Sequence, residues 1–410
     1  MENSNLERGI QFFEMGRYKD SIPYLLAAIS DDNDNYLAKY LLAQCHFQNN
    51  DIDKALQQSI DLRSEEPNHD GIYLLLSQIY LHKDNSKEAE LMIDKAIELN
   101  PYEENHFGQK AYVLINKKKY EQALEYANEG LKIDSKSTFC LNARTTALTK
   151  LNRKSEVSET INSLLHDNPD NAYSHANAGW SYLENNNRKK AFEHFKEALS
   201  LNPNLDYARS GMSQAVKSKN WVYNLYLRYA FWISNKSTKN QWLVIIGIYL
   251  VYRFSLKVLT ASGLTYLAFP LIILYLLFAL GTWIMDPLSN MILMFDKFGK
   301  YLLDEQEKLT GQLLFALLCL SLITFLCSLF ISEDYLILFS LTFLAVILPF
   351  TRATSTLIKR SRFLNMTYGS IMFIICFGGF LMGYPMASTG IVVGIMFIAY
   401  TWIGNFISNV

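Results

Sequence analysis

The stretch NRKKAFEHFKEALSLNP at 187–203 has a near twin in NSKEAELMIDKAIELNP at 85–101. Both begin with Asn, place Ala at the fifth and twelfth positions and Leu at the fifteenth, and end on Asn-Pro. The offset is 102 residues, three times 34. The same period divides residues 2–205 into six gapless units: 2–35, 36–69, 70–103, 104–137, 138–171 and 172–205. A unit this short cannot bury its own apolar face. Similar units at a fixed period therefore stack on one another, each covering its neighbour.

The register is carried by small residues. Position 8 of the units is Gly9, Ala43, Ser77, Ala111, Thr145 and Gly179. Position 20 is Ser21, Ala55, Ala89, Ala123, Val157 and Ala191, and position 27 is Ala28, Leu62, Ala96, Gly130, Leu164 and Ala198. Pro67, Pro101, Pro169 and Pro203 stand at position 32, where a ring without an N–H ends a helix. Asn33 and Ser135 replace it in the other two units. This pattern resembles the tetratricopeptide repeat (TPR) family. The resemblance implies an all-α solenoid of paired helices A and B, with a concave face that holds a protein or peptide.

By that analogy positions 2, 5, 9 and 12 of helix A face the groove. They include Leu6, Ile10, Phe13, Tyr40, Gln44, Phe47, Leu74, Gln78, Leu81, Tyr112, Asn142, Thr146, Tyr173 and Trp180. No Lys or Arg occupies positions 2, 5, 6 or 9 of any unit, which argues against a carboxylate-clamping groove. The expected face is aromatic and uncharged, suited to an extended or helical peptide with apolar side chains. The competing expectation is that many of these residues pack between neighbouring A helices. Lys117-Lys118-Lys119 reads as a solvated turn.

Composition changes abruptly after the repeats. Residues 1–219 hold 26 Lys and Arg against 32 Asp and Glu; residues 220–410 hold 12 against 7. The second part is apolar and nearly charge-free, the mark of a membrane domain. Residues 206–220 continue as a helix that caps the last repeat. Residues 221–235, with Trp221, Tyr223, Tyr226, Tyr229, Phe231 and Trp232, read as an interfacial helix. From 241 to 410 six spans of roughly 20 residues are expected, near 241–260, 263–285, 311–331, 335–350, 363–383 and 388–407. The whole chain is thus expected to be all-α, a TPR solenoid followed by a multi-span transmembrane bundle.

Between the second and third spans, 286–308 is expected to form an amphipathic helix on the membrane surface, its apolar face built from Leu288, Met291, Ile292, Phe295, Phe298 and Leu302. Gly379-x-x-x-Gly383 and Gly390-x-x-x-Gly394 are expected to let the last two spans approach closely. Basic residues gather in 286–310 (Lys297, Lys300, Lys308) and 351–362 (Arg352, Lys359, Arg360, Arg362), and none lies in 332–334 or 384–387. The positive-inside rule then places the repeats and the C-terminus in the cytoplasm, at what reads as a bacterial inner membrane.

The acidic repeats disfavour nucleic acid. Phosphate loops, dinucleotide fingerprints, HExxH, GxSxG and CxxC pairs are all missing from the sequence, so no cofactor, metal or catalytic residue is expected. Three functions fit: a membrane-anchored adaptor that recruits protein partners, a repeat-regulated transporter, channel or lipid-handling protein with Arg253, Lys257, Asp286 and Asn405 as its polar residues, and a self-assembling homo-oligomeric platform.

Overall fold

The computed structural model describes residues 4–295, 299–301, 303–331, 333–356 and 358–408. Among them every regular element is helical. The chain divides into two compact units. The first comprises the residues up to Met212 with 235–237, and the second the remainder; the boundary falls inside one helix.

In the first unit six helical hairpins follow the 34-residue period. They are α1 (Ser4–Glu14) with α2 (Tyr18–Asp31), α3 (Tyr36–Gln48) with α4 (Ile52–Glu65), α5 (Asp70–His82) with α6 (Ser86–Leu99), α7 (Glu104–Asn116) with α8 (Tyr120–Ile133), α9 (Thr138–Lys150) with α10 (Lys154–Asp167), and α11 (Ala172–Glu184) with α12 (Arg188–Leu201). Starts are fixed by side-chain caps: Asn35, Asn85, Asn171 and Asn187 each accept the backbone N–H three residues on. The turn inside each hairpin needs one left-handed residue at position 15. Gly16 serves in the first, followed by Asn50, Asp84, Lys118, Asn152 and Asn186, with φ between 58° and 64° in these five. Asn and Asp tolerate that region; Lys does not favour it.

The small positions do what close packing demands. Ala43, Ala55, Ala89, Ala96, Ala111, Ala123, Ala191 and Ala198 are fully buried. Two of the polar ones bond across their hairpin: Ser21 Oγ donates to the Gly9 carbonyl (2.7 Å) and Ser77 Oγ to that of Ala89 (2.9 Å). A methyl at Gly179 would sit 2.7 Å from the ring of Phe195, so glycine is required for that ring to enter. Between repeats 3 and 4, Lys110 is only 5% exposed and donates to Glu90 (3.0 Å) and Asp94 (2.6 Å), while Lys117 also pairs with Glu90. Lys117 therefore belongs to a half-buried ion cluster, which corrects the reading of its triplet as a free solvated turn.

Helix α13 (Asp206–Lys217) begins by covering the last repeat; Ala208 and Met212 are buried, and Gly211 lies against Phe195.

The second unit contains α14 (Trp221–Ser234), α15 (Thr238–Ala261), α16 (Ala268–Phe295), α17 (Glu305–Ser328), α18 (Tyr335–Ala345), α19 (Ile347–Ser355), α20 (Lys359–Leu381) and α21 (Met386–Ser408). Five stretches among the described residues are long and apolar enough to cross a membrane: Lys239–Ala261, Glu305–Ser328, Tyr335–Ser355, Lys359–Leu381 and Met386–Gly404. The buried centre combines Leu314 and Leu317 of α17, Leu338 of α18, Ile347 of α19, Met372 and Cys376 of α20 and Val393 of α21. Hydroxyls inside it are bonded. Ser321 donates to the Ser340 carbonyl (3.0 Å), Tyr335 to that of Tyr384 (2.7 Å), and Thr310 to Thr354 (2.9 Å). An apolar surrounding gives such groups no other partner.

Three expectations are corrected here. Residues 286–295 are not a separate surface helix but the last turns of α16, which continues through Pro287; Leu288 and Met291 pack on the buried centre. Apolar spacing cannot distinguish a surface helix from the continuation of a buried one. Ile292 is 38% and Phe295 67% exposed, and Phe298 and Leu302 lie outside the described residues. Next, the fourth apolar segment does not stop at 350. It breaks at Val346, where Pro349 has no N–H for the Ala345 carbonyl, and resumes as α19 to Ser355. Arg352 is thereby inside the helix, its guanidinium 4.8 Å from the ring centre of Trp283. The last two helices do pack on each other, but the four glycines do not share in it equally. Gly379 lies tightly against Thr389, but Gly383 (φ +69°) ends α20 in the left-handed conformation, Gly390 is at ordinary distance from Leu338, and Gly394 faces open space.

Candidate peptide-binding face

Successive A helices pack directly on one another, α1 on α3, α3 on α5, α5 on α7, α7 on α9 and α9 on α11. The B helices make no comparable contacts with each other among the described residues. Helices on the inside of a curved stack are the closer-spaced ones, so the A helices line the concave face of the first unit.

The candidates on that face divide into two groups. Leu6 is buried in the first core, with Ile10 and Phe13 packed against it, and Leu74 and Leu81 pack on the third. Asn142 is 2% exposed; it donates to Ser174 (3.0 Å) and accepts from Asn177 (3.0 Å), while Thr146 donates to Asn177 (3.1 Å). These amides and hydroxyls bind α9 to α11. A ligand would have to break satisfied buried bonds to reach Asn142, whereas Thr146 is half-buried. Gln44 and Gln78 are half-buried.

Aromatic residues form the second group. Towards the N-terminus Tyr36 and Tyr40 stack at 6.1 Å, both against His69, and the Tyr40 hydroxyl donates to the Gly71 carbonyl (3.2 Å). Burial, with the nearby Asp70 carboxylate, pushes Tyr40 up to about 12. Phe47 meets His82 edge to face at 6.1 Å. Towards the C-terminus Tyr112 lies 5.0 Å from Phe139, Tyr173 stacks on Tyr207 at 5.5 Å, and Trp180 sits between Tyr207 (5.8 Å) and Phe195 (5.7 Å). Trp180 Nε1 donates to the Tyr207 carbonyl (3.1 Å). Tyr173 is 43% and Tyr207 38% exposed despite this packing. The Tyr112 hydroxyl is shut off from solvent, faces that of Tyr173, and makes no hydrogen bond of ordinary geometry; burial raises it well above the usual phenol range.

Phe139 and Tyr207 were not among the sequence candidates. The signal was present: Phe139, Tyr173 and Tyr207 are spaced 34 residues apart, all at position 2, and the run crosses into the capping helix. Among the described residues no group of three or more His, Cys, Asp or Glu is placed to hold a metal.

Comparison with known proteins bears on the repeats alone. Residues 107–137 and 172–205 each match a model of the tetratricopeptide repeat, the second with the bounds of the sixth sequence unit. The N-terminal region carries tetratricopeptide repeats. Residues 14–96 match the model for anaphase-promoting complex, cyclosome, subunit 3. No enzyme family is indicated by these matches. A DnaJ homolog subfamily C member 3 homolog of Dictyostelium discoideum is 23% identical over 218 residues, covering 49% of this chain. This chain spans 43% of that relative, less than half its length. Among solved structures, the TPR protein YrrB is 21% identical, with 45% of this chain and 95% of that one covered at a TM-score of 0.31. The Cut9–Hcn1 structure is 18% identical, with 52% and 42% covered at 0.45.

Proposed function

We propose that this chain is a membrane-anchored TPR adaptor: its apolar helices hold the repeats at the cytoplasmic face of a membrane, and the concave face recruits protein partners. The observation that carries the reading is the exposure of Tyr173 and Tyr207 beside Trp180. Aromatic side chains left partly open in a packed array are ready-made contact surface with little side-chain entropy left to lose. Anchoring is supported by the five stretches long and apolar enough to cross a membrane, and by exposed Trp232, Trp242 and Trp402, residues that favour the headgroup level. The basic residues Arg352, Lys359, Arg360 and Arg362 favour an orientation with that end, the repeats and the C-terminus in the cytoplasm. A bacterial inner membrane is the proposed location.

The test is a photo-crosslinking residue at position 173 of the full chain in intact cells. A discrete protein adduct that disappears with Trp180→Ala and Tyr207→Ala is expected. Adducts of unchanged pattern in that double variant would refute the face as the contact. Orientation is checked separately. A cysteine introduced at Asn186 should resist a membrane-impermeant thiol reagent in intact cells; labelling there would reverse the topology.

A second reading, lipid handling by the bundle, is favoured by one feature. An apolar cleft of about 410 Å³ opens at the α18–α19 break between Leu317, Phe343, Phe350 and Phe373. Quenching of a fluorophore at position 373 by brominated acyl chains, at a fixed stoichiometry, would support it; quenching no stronger than at other lipid-facing positions would not.

A further inference from the structure

The aromatic run is neutral along its length but not at its edges. Phe139, whose ring is tilted against Tyr112 at 5.0 Å, also lines a cleft of about 540 Å³ together with Glu104, Asp134 and Asp167. Lys136 is the one cation among the lining residues; it is 71% exposed and 3.5 Å from Asp167. Carboxylates therefore exceed amines in the cleft by two. Beside the run, Glu184 is held by Lys150 at 2.5 Å, both largely buried, so it adds no net charge. The uncompensated charge thus lies on the Phe139 side. Rings with exposed faces attract cations through their quadrupole, and flanking carboxylates add to that attraction and repel an anionic partner.

Spacing narrows the partner further. Tyr173 and Tyr207, at position 2 of the last repeat and of its cap, stack at 5.5 Å, and Tyr207 lies 5.8 Å from Trp180, so the three rings form one continuous apolar surface that a few residues of extended chain can cover.

We propose that this face binds an extended protein segment with a Lys or Arg followed within a few residues by aromatic or large apolar residues: the cation enters the cleft between Glu104, Asp134 and Asp167, and the apolar side chains lie across Tyr173, Trp180 and Tyr207. The inference rests on the adaptor reading and gives its partner a chemistry.

The probes are three acetylated, amidated, fluorophore-labelled peptides, Arg-Pro-Pro-Phe-Pro-Pro-Phe and the same sequence with Gln or Glu first. Each is titrated by anisotropy against the full chain in lipid nanodiscs. The Arg peptide should bind about tenfold more tightly than the Gln peptide at low salt, and the Glu peptide more weakly than either. The Arg advantage should shrink as salt rises. Asp134→Asn with Asp167→Asn should erase it while leaving the Gln peptide unchanged, which also shows that the variant is folded. Equal binding of Arg and Gln peptides would overturn the charge assignment and leave the adaptor reading standing. Binding of none would overturn the inference altogether, and the adaptor reading would then be decided by the crosslink at position 173.

Discussion

Phe195 holds the last repeat and its cap together, and the glycines around it make a reversal of sign that can be measured. Its side chain is fully buried, in contact with Trp180 and lying where the side chains of Gly179 on α11 and Gly211 on α13 would be. Phe195→Ala removes a ring that neither glycine can replace, so the cost belongs in the upper part of the usual range, about 4 kcal/mol. Gly179→Ala in the native background places a methyl 2.7 Å from that ring. Helix propensity favours Ala by about 1 kcal/mol. Overpacking opposes it by about 1–3 kcal/mol, so the net effect is destabilising or close to zero. With Phe195→Ala already present the clash is gone, only propensity and cavity filling remain, and Gly179→Ala should stabilise by about 1 kcal/mol. The assay is hydrogen exchange by mass spectrometry on the full chain in nanodiscs, read at amides of α11 and α12. This localises the effect where a global transition of a repeat array would blur it. If Gly179→Ala has the same sign and size in both backgrounds, the ring does not occupy the space above Gly179 and the reasoning fails.

Lys118 is the one basic residue at the left-handed turn position, with φ of 60°. Lys118→Asn should raise stability by about 0.5–1 kcal/mol, seen as a higher Tm, less whatever is lost with its bond to the Lys236 carbonyl. His194 is lowered from 6.5 to about 4 by burial, with the charges of His175 and Lys190 adding to it. An unfolded chain therefore binds a proton there that the folded chain refuses, and the contribution present above about 6.5 is lost as pH falls towards 4. Protection of α11 and α12 should fall over that window in the native protein and change less in His194→Gln. Glu90 is held below the ordinary carboxylate range: burial works against this, but hydrogen bonds from Lys117 and Lys110 prevail. Glu90→Gln, which leaves Lys110 buried with Asp94 alone, should cost about 2 kcal/mol in urea denaturation at neutral pH. That cost should diminish in acid, where the native Glu90 is itself protonated.

The fold of the repeats was legible because its cause is periodic. The left-handed turn recurs every 34 residues, and the buried small residues follow the same register. Legibility failed where a residue acts alone. Nothing in its own neighbourhood distinguishes Gly383, which ends a helix, from Gly379, which meets Thr389; the difference is a φ angle and a partner 10 residues from Gly379. The surface helix expected at 286–308 failed for a related reason. Its apolar spacing is real, but the same spacing serves the inner face of α16, and only the contacts of Leu288 and Met291 decide between them.

The groove lies between these cases. Periodicity placed candidates on the A-helix face, yet a periodic position is filled by packing in one repeat and by open surface in the next. Position 5 is Tyr40 in the second unit, bonded to Gly71, and Asn142 in the fifth, sealed between helices. Position 2 is Phe139 and Tyr173 in the last two units and Tyr207 at the equivalent place in the cap, and two of these rings remain more than a third exposed. An interaction surface in a solenoid must satisfy the packing of the array before it satisfies a partner. The informative residues are therefore those for which the array has no use. A ring exposed at the same position in the last repeat and in its cap meets that criterion, because stacking alone would have buried it or made it small.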